Sequence, residues 1–564
     1  MWEGITCRQD GTVTAVFLPS KGLQGHISQS LGVLTGLQYL NLSHNSLSGG
    51  LPPELMSSSS ITILDVSFNQ LNGTLQELPS STPARPLQVL NISSNSFTGQ
   101  FPSTTWKAMA NLIALNASKN RFTGQIPTHF CNSSPSFTVL ELSFNKFSGS
   151  IPPSLGNCSK LRELRAGYNN LSGAIDGTHI TNLRNLVVLH LGWNNFGGKI
   201  PVSIGQLKKL EELHLAYNNM SGELPSALSN CTNLITIDLK SNHFSGKLTK
   251  VNFSNLPNLR ILDLWLNNFT GEVPESIYSC SNLIALRLSS NNLHGQLSSR
   301  IGNLKYLSFL SLGCNFSGRI PVWISRAVNL QMLFLCGNRL TGSIPGWISS
   351  LSHLFYMDVS SNSLTGEIPL TLTEMPVLKS TDNATHLDPT VFELPVYNGP
   401  ALQYRVVTSF PAVLNLSNNN FTGVIPTQIG QLKVLAVLDF SFNKLSGQIP
   451  QSVCNLANLQ VLDLSSNNLT GAIPAALNTL HFLSAFNISN NDLEGPIPSG
   501  GQFDTFQNSS FSGNPKLCVS MLTHKCDSAS IPPPSTKETT KPRYKKYFRI
   551  FLTAVQCSLP GLLW

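Results

Sequence analysis

The sequence predicts an α/β solenoid, a right-handed superhelix of short coils in which each coil adds one parallel strand to a shared concave face. Three observations carry the prediction. One template, LxxLxLxxNxLxG, usually followed by x-Ile-Pro, recurs along the chain, as in GLQYLNLSHNSLSG from Gly36, SITILDVSFNQLNG from Ser60, NLVVLHLGWNNFGG from Asn185 and NLQVLDLSSNNLTG from Asn458. Its asparagines, at Asn45, Asn69, Asn95, Asn120, Asn145, Asn169, Asn194, Asn218, Asn242, Asn267 and Asn291, return every 24 to 26 residues. The 564-residue chain is far longer than one ordinary core and only 11% charged, against roughly 25% in ordinary soluble domains, so polarity comes mainly from amides and hydroxyls.

The coil follows from its residues. Leucines two apart on an extended strand both point inward, and the residue between them points out. One coil cannot bury its leucines alone, but stacked coils share a continuous core. The recurring Asn can satisfy turn backbone groups from inside, where water does not reach. This pattern is the leucine-rich repeat, here with the LxGxIP extension.

Residues 1–12 read as the remnant of an N-terminal cap: MWEGITC shows no charged and apolar leader of the secretory kind, and Cys7 has no nearby partner. Repeats fill 13–378. Their outward strand positions form a grid that carries any function, and in successive coils it includes Asp238 and Lys240, Asp263 and Trp265, Arg287 and Ser289, Phe309 and Ser311, Met332 and Phe334, then Tyr356, Asp358 and Ser360. Cys158, Cys231, Cys280 and Cys454 recur just before Leu-rich strands and read as small buried hydrophobes. At LSLGCNFSGRIP, Leu310 to Pro321, Asn315 is followed at once by Phe316, one residue short of the template.

The repeat then stops. Asn362 and Asn419 are 57 residues apart where one repeat needs about 24, and the extra stretch holds Phe392, Leu394, Val396, Tyr397, Leu402, Tyr404, Val406 and Phe410. So apolar an insertion is expected to fold back on the solenoid as an ordered island over 379–411, beside the concave face. Repeats resume over 412–500, a cap follows over 501–527, and 528–564 is a basic, Pro-rich, juxtamembrane-like tail. That tail holds Lys537, Lys541, Arg543, Lys545, Lys546 and Arg549 against Glu538, which is most of the formal net charge of +8 and leaves a body too mildly basic for a nucleic-acid surface. Its terminal apolar run, IFLTAVQCSLPGLLW, is shorter than the roughly 20 residues that span a bilayer.

About eighteen Asn-x-Ser/Thr sequons, among them Asn41, Asn91, Asn116, Asn170, Asn219, Asn268, Asn383, Asn415, Asn468 and Asn487, point to N-glycosylation in the secretory pathway and an extracellular or cell-surface location. Cys518 and Cys526, in the loop-rich segment after the last repeat, agree as a disulfide-stapled cap. No zinc-spaced cysteines or histidines, HExxH, phosphate loop, HRD or DFG segment occurs, so the sequence implies no cofactor, metal or enzyme active site.

The island, with LQYRVVTSFPAVLNLSNNNFTG, and the cap PIPSGGQFDTFQNSSFSGNPKLC resemble the plant receptors for tyrosine-sulfated peptide hormones, the phytosulfokine and sulfated-glycopeptide receptor family, without their kinase domain. The resemblance implies an island that folds against the concave strands and holds a short, secreted, sulfated peptide. A co-receptor kinase ectodomain of the somatic-embryogenesis type would then dock nearby. On the island side it implies Phe392, Leu394, Val396, Tyr397, Gln403, Tyr404 and Arg405 as ligand-binding residues. On the grid it implies Lys240 and Arg287, read as outward and basic and so as candidates for the sulfate, and Asp358. Family members carry about two further repeats near Leu310–Pro321, so the short repeat resembles an internal deletion. The competing readings are a leucine-rich-repeat inhibitor of the polygalacturonase-inhibitor kind, which has no island, and a truncated receptor or decoy.

Overall fold

The computed structural model describes residues 3–128, 130, 134–175, 180–380 and 411–518. The chain forms two compact units, Met1–Thr270 and Gly271–Trp564.

In the first unit a hairpin starts the stack, Ile5–Cys7 antiparallel to Val13–Phe17. From Val13–Phe17 onward every ladder strand is parallel to the next and three residues long in most coils, through Tyr39–Asn41 and Glu163–Arg165 to Ile261–Asp263. Strands pair in phase, so that Leu164 meets Leu189 and Arg165 meets His190. The phase puts leucine on leucine in one inward file. Leu164, Leu189, Leu213 and Leu262 are all 0% exposed, and each buried leucine stabilises the stack by about 1.5 to 3 kcal/mol.

The template asparagine closes each coil as its chemistry predicts. The Asn194 amide Nδ2 donates to Ala166 O at 2.9 Å and Leu191 O at 3.1 Å, while its Oδ1 accepts from Leu171 N at 2.9 Å. One side chain therefore pins its own turn and the preceding coil. The tight turn puts the residue before it in the left-handed region, with φ of 55° at Tyr168, 58° at Trp193 and 54° at Tyr217. The template glycine turns the flank the same way: Gly198 has φ +75°, and a Cβ there would lie 3.1 Å from the Ala174 Cβ. After the glycine, the Pro of the Ile-Pro pair precedes a 3-10 turn such as Val202–Gln206, whose Ile204 points into the core.

The second unit continues the pattern and absorbs two irregularities. At the short repeat it is Cys314, not Asn315, that occupies the asparagine slot. The thiol lies 3.2 Å from Leu288 O, the carbonyl of the coil before, and Asn338 Oδ1 reaches back to Cys314 N and Phe316 N, each at 3.0 Å. Asn315 opens the flank strand Asn315–Arg319. The residue missing from the template is thus the left-handed one before the asparagine slot, and the expected alignment of Asn315 is corrected by one position.

The second irregularity is the insertion. Strands Tyr356–Asp358 and Ala412–Asn415 pair directly, Met357 opposite Leu414, so the ladder stays in register across it. Residues 381–410, and with them most of the expected island, lie outside the described residues. The cap closes on Phe486, whose ring lies 5.0 Å from that of Phe503 and 5.3 Å from that of Phe506.

The cysteines divide. Cys231 and Cys280 are buried thiols outside any disulfide, and Cys454 is a half-buried thiol of the same kind. Cys158 is buried as read, but it is disulfide-bonded rather than a lone small hydrophobe. Cys518 is also disulfide-bonded, and Cys526 lies outside the described residues.

Candidate ligand-binding face

Neighbouring parallel strands lie about 4.8 Å apart, so side chains at the same outward position of successive coils touch. In the first unit this produces a chain of charges. Arg165 Nε is 3.2 Å from Glu163 and its guanidinium 3.7 Å from Glu212; His214 is 3.5 Å from Glu212 and 3.7 Å from Asp238; Lys240 Nζ is 2.7 Å from Asp238 and 3.5 Å from Asp263. The Lys240 side chain is 0% exposed. The expectation of an outward, open cation at this position is corrected, because the carboxylates two residues before it and one coil after it close on the ammonium.

The electrostatics follow from this packing. Burial would raise the Asp238 carboxyl, but the charge of Lys240 and the hydrogen bond from His214 hold it well below the usual carboxylate range. Burial lowers the His190 imidazole to about 3, helped by His214 at a ring distance of 5.2 Å. Burial would lower His214 as well, yet the carboxylates of Asp238 and Glu212 beside it leave it raised. A second file runs beside the charges. Phe144, Tyr168, Trp193 and Tyr217 stack at centroid distances of 4.1, 5.2 and 3.8 Å, and Lys240 Nζ sits 5.9 Å from the Tyr217 ring. The signal for this file was present as an aromatic residue before the template Asn in four successive coils, and sequence reading passed over it.

In the second unit the outward positions carry rings and carboxyls. Phe309, Phe334 and Tyr356 stand ring to ring at 5.2 and 4.6 Å and are buried, as is Met332, where an open grid was expected. Large side chains on adjacent strands cover one another. Arg287 is 3% exposed at the end of strand Ala285–Arg287, opposite Ser311, so it too departs from the open cation expected. Asp358 is buried and accepts from Ser360 N at 3.0 Å; burial raises its carboxyl. Asp439 and Asp463 face each other on paired strands, and burial together with the charge of Asp463 pushes Asp439 up to about 7.

Phe392, Leu394, Val396, Tyr397, Gln403, Tyr404, Arg405 and Asn383 lie outside the described residues. Among the described residues no group of three or more His, Cys, Asp or Glu could hold a metal ion, and no helix is long and apolar enough to cross a membrane. Along their length the two faces carry paired charges and stacked rings.

Comparison with known proteins matches this architecture. A leucine-rich repeat region model covers residues 135–382, and leucine-rich repeat models cover 412–469, 36–58, 86–107 and 111–133. The matches stop and resume on either side of the insertion. Phytosulfokine receptor 1 of Arabidopsis thaliana is 38% identical over 74 residues, a stretch that is 13% of this chain and 7% of that receptor, so the matched part is a small fraction of the relative's own length. The Arabidopsis receptor kinase HAESA, solved in complex with the peptide hormone IDA and the co-receptor SERK1, is 29% identical with a TM-score of 0.68, over 92% of this chain and 93% of that one. A TDR receptor structure is 31% identical with a TM-score of 0.62, over 88% of this chain and 92% of that one. The chain belongs to the leucine-rich-repeat family, in the form that plant receptor ectodomains take.

Proposed function

We propose that this chain is the ligand-binding ectodomain of a receptor-like protein that takes a short extended peptide along its strand ladder and signals through a partner kinase. The observation that carries the reading is the likeness to HAESA over nearly the whole of both chains, since that ectodomain was solved with a peptide hormone and a co-receptor on it. Outward rings and charges along parallel strands suit an extended ligand, which can meet one coil per residue or two. The sulfated class of peptide is the finer part of the proposal and rests on the resemblance of the stretch from Phe392 to Phe410.

The geometry argues against Lys240 as the sulfate anchor, because a sulfate would have to displace Asp238 at 2.7 Å from its ammonium. Calorimetry of the intact chain with a tyrosine-sulfated peptide and its unsulfated form tests the proposal. Binding of the sulfated form below millimolar, and tenfold or more tighter than the unsulfated form, is expected, since a charge-assisted hydrogen bond contributes about 1.5 to 3 kcal/mol. Equal binding of both would overturn sulfate recognition alone, and binding of neither would overturn the peptide reading for this class.

A further inference from the structure

Nine of the sequons fall into two structural classes that the sequence does not separate. In the first class the Asn is the last residue of a ladder strand, on the outward face, at Asn41, Asn91, Asn116, Asn415 and Asn487. There the sequon is folded on itself. Asn41 Oδ1 accepts from Ser43 N at 2.9 Å and Ser43 Oγ at 2.7 Å, and Asn91, Asn116 and Asn415 repeat both bonds with Ser93, Ser118 and Ser417. The amide nitrogen, the atom that would carry sugar, is also engaged: Asn91 Nδ2 donates to Asp65 at 3.2 Å and Asn487 Nδ2 to Asp463 at 3.1 Å. Asn415 is only 3% exposed.

In the second class the Asn directly follows the template asparagine and opens or precedes a flank strand. Asn170, Asn219 and Asn268 do so in the first unit and Asn468 in the second, and these four are exposed, whereas Asn420, which also follows a template asparagine and opens a flank strand, is half-buried. In the first unit these sites fall on alternate coils, so their spacing along the stack is two strand separations, about 10 Å. Asn170 Oδ1 accepts from Asn195 Nδ2 of the next coil at 2.6 Å, but that bond uses the amide oxygen and lies in the open, away from the ladder face.

We propose that N-glycans are carried by the flank sequons Asn170, Asn219, Asn268 and Asn468 and are absent from the strand-end sequons, so that sugar fences one flank and leaves the ladder face bare for a ligand. The transfer forms a bond from the Asn Nδ2 to the anomeric carbon of an oligosaccharide delivered on a lipid pyrophosphate. The carbon–oxygen bond to the pyrophosphate breaks, the pyrophosphate leaves with the electron pair, and the amide loses one proton. At a strand end the product would force a hydrated glycan between coils about 4.8 Å apart, and it would unseat the bonds to Ser and Asp. A chain so modified cannot close its ladder there, so the folded, secreted population is depleted of it.

The inference rests on the secretory reading, and one experiment separates the two. The chain is expressed in plant cells behind a supplied secretion signal, the secreted protein is deglycosylated enzymatically in 18O water, and the label is located by peptide mass spectrometry. Label at Asn170, Asn219, Asn268 and Asn468 with none at Asn41, Asn91, Asn116, Asn415 and Asn487 is expected. Label at the strand-end sites in folded protein, to the same extent as at the flank, would overturn the partition while leaving secretion intact. A secreted protein without any label would overturn glycosylation itself, and failure of the chain to leave the cell would overturn the secretory reading. Asn170→Gln combined with Asn219→Gln and Asn268→Gln should speed migration on a denaturing gel by three glycans' worth, whereas Asn91→Gln with Asn415→Gln should leave it unchanged.

Discussion

From Glu163 onward the strand face of the first unit handles buried charge in the opposite way to that of the second, whereas Glu141, one coil earlier, is raised by burial as the second unit's acids are. From Glu163 to Asp263 the first unit alternates carboxylates with Arg165, His214 and Lys240, so each buried charge meets an opposite one within 4 Å. In the second unit burial raises Asp358, Asp439 and Asp463, and the carboxyls move toward their neutral form. The slot is the same in both cases, the last residue of a ladder strand. The backbone template therefore fixes where an acid stands, and the residues one coil away decide whether it is paired or protonated. One face carries compensated charges, and the other carries rings and acids that burial raises.

The largest expected effect breaks the first unit's pairing. Lys240→Met leaves Asp238 and Asp263 buried without the ammonium, which should destabilise the unit by about 3 to 5 kcal/mol. A thermal unfolding scan should show the midpoint falling, and Lys240→Met with Asp238→Asn should recover part of the loss. Peptide affinity is not the expected casualty, because the lysine is enclosed.

A smaller effect tests the ladder itself. Asn194→Ala removes donors to Ala166 O and Leu191 O and the acceptor for Leu171 N, stranding buried backbone groups at about 1 to 3 kcal/mol. Cys314→Ala removes one weak thiol contact in the equivalent slot and should cost roughly 1 kcal/mol or less. Denaturant titration that ranks Cys314→Ala as the costlier change would contradict the slot assignment.

These particulars show what was legible in the sequence. The ladder, its inward leucines and its asparagines were readable because one periodic template enforces them, and the insertion stood out as a break in that period. Lys240 was readable as outward but not as buried. Alternation gives the direction of a side chain, whereas closure depends on Asp263, 23 residues further along and beside it only after coils stack. Cys314 was missed for a related reason: Asn315 looks like the template residue, and only the geometry shows a thiol standing in for an amide. The two sequon classes share one motif, and only position relative to the strand separates them.

The claim that the two faces balance charge by opposite means is tested most directly by one substitution made in both. Asp238→Asn and Asp439→Asn fall in the same slot, and asparagine already occupies that slot at Asn415 with bonds to Ser417 like those of Asp439 to Ser441. Asp439 has a folded pKa of about 7, above its unfolded value, so its contribution is fully present at low pH and is lost as pH rises through about 7. Asp238 is depressed, so its contribution is present above the unfolded carboxylate pKa and is lost only as pH falls through its lower folded value. Unfolding midpoints from pH 5 to 8 should therefore show Asp439→Asn gaining stability relative to the unsubstituted chain as pH rises, by about 2 to 3 kcal/mol between pH 5 and 8. Asp238→Asn should lose roughly 1 to 3 kcal/mol throughout that range. Shifts of the same sign for both variants at pH 8 would contradict the account.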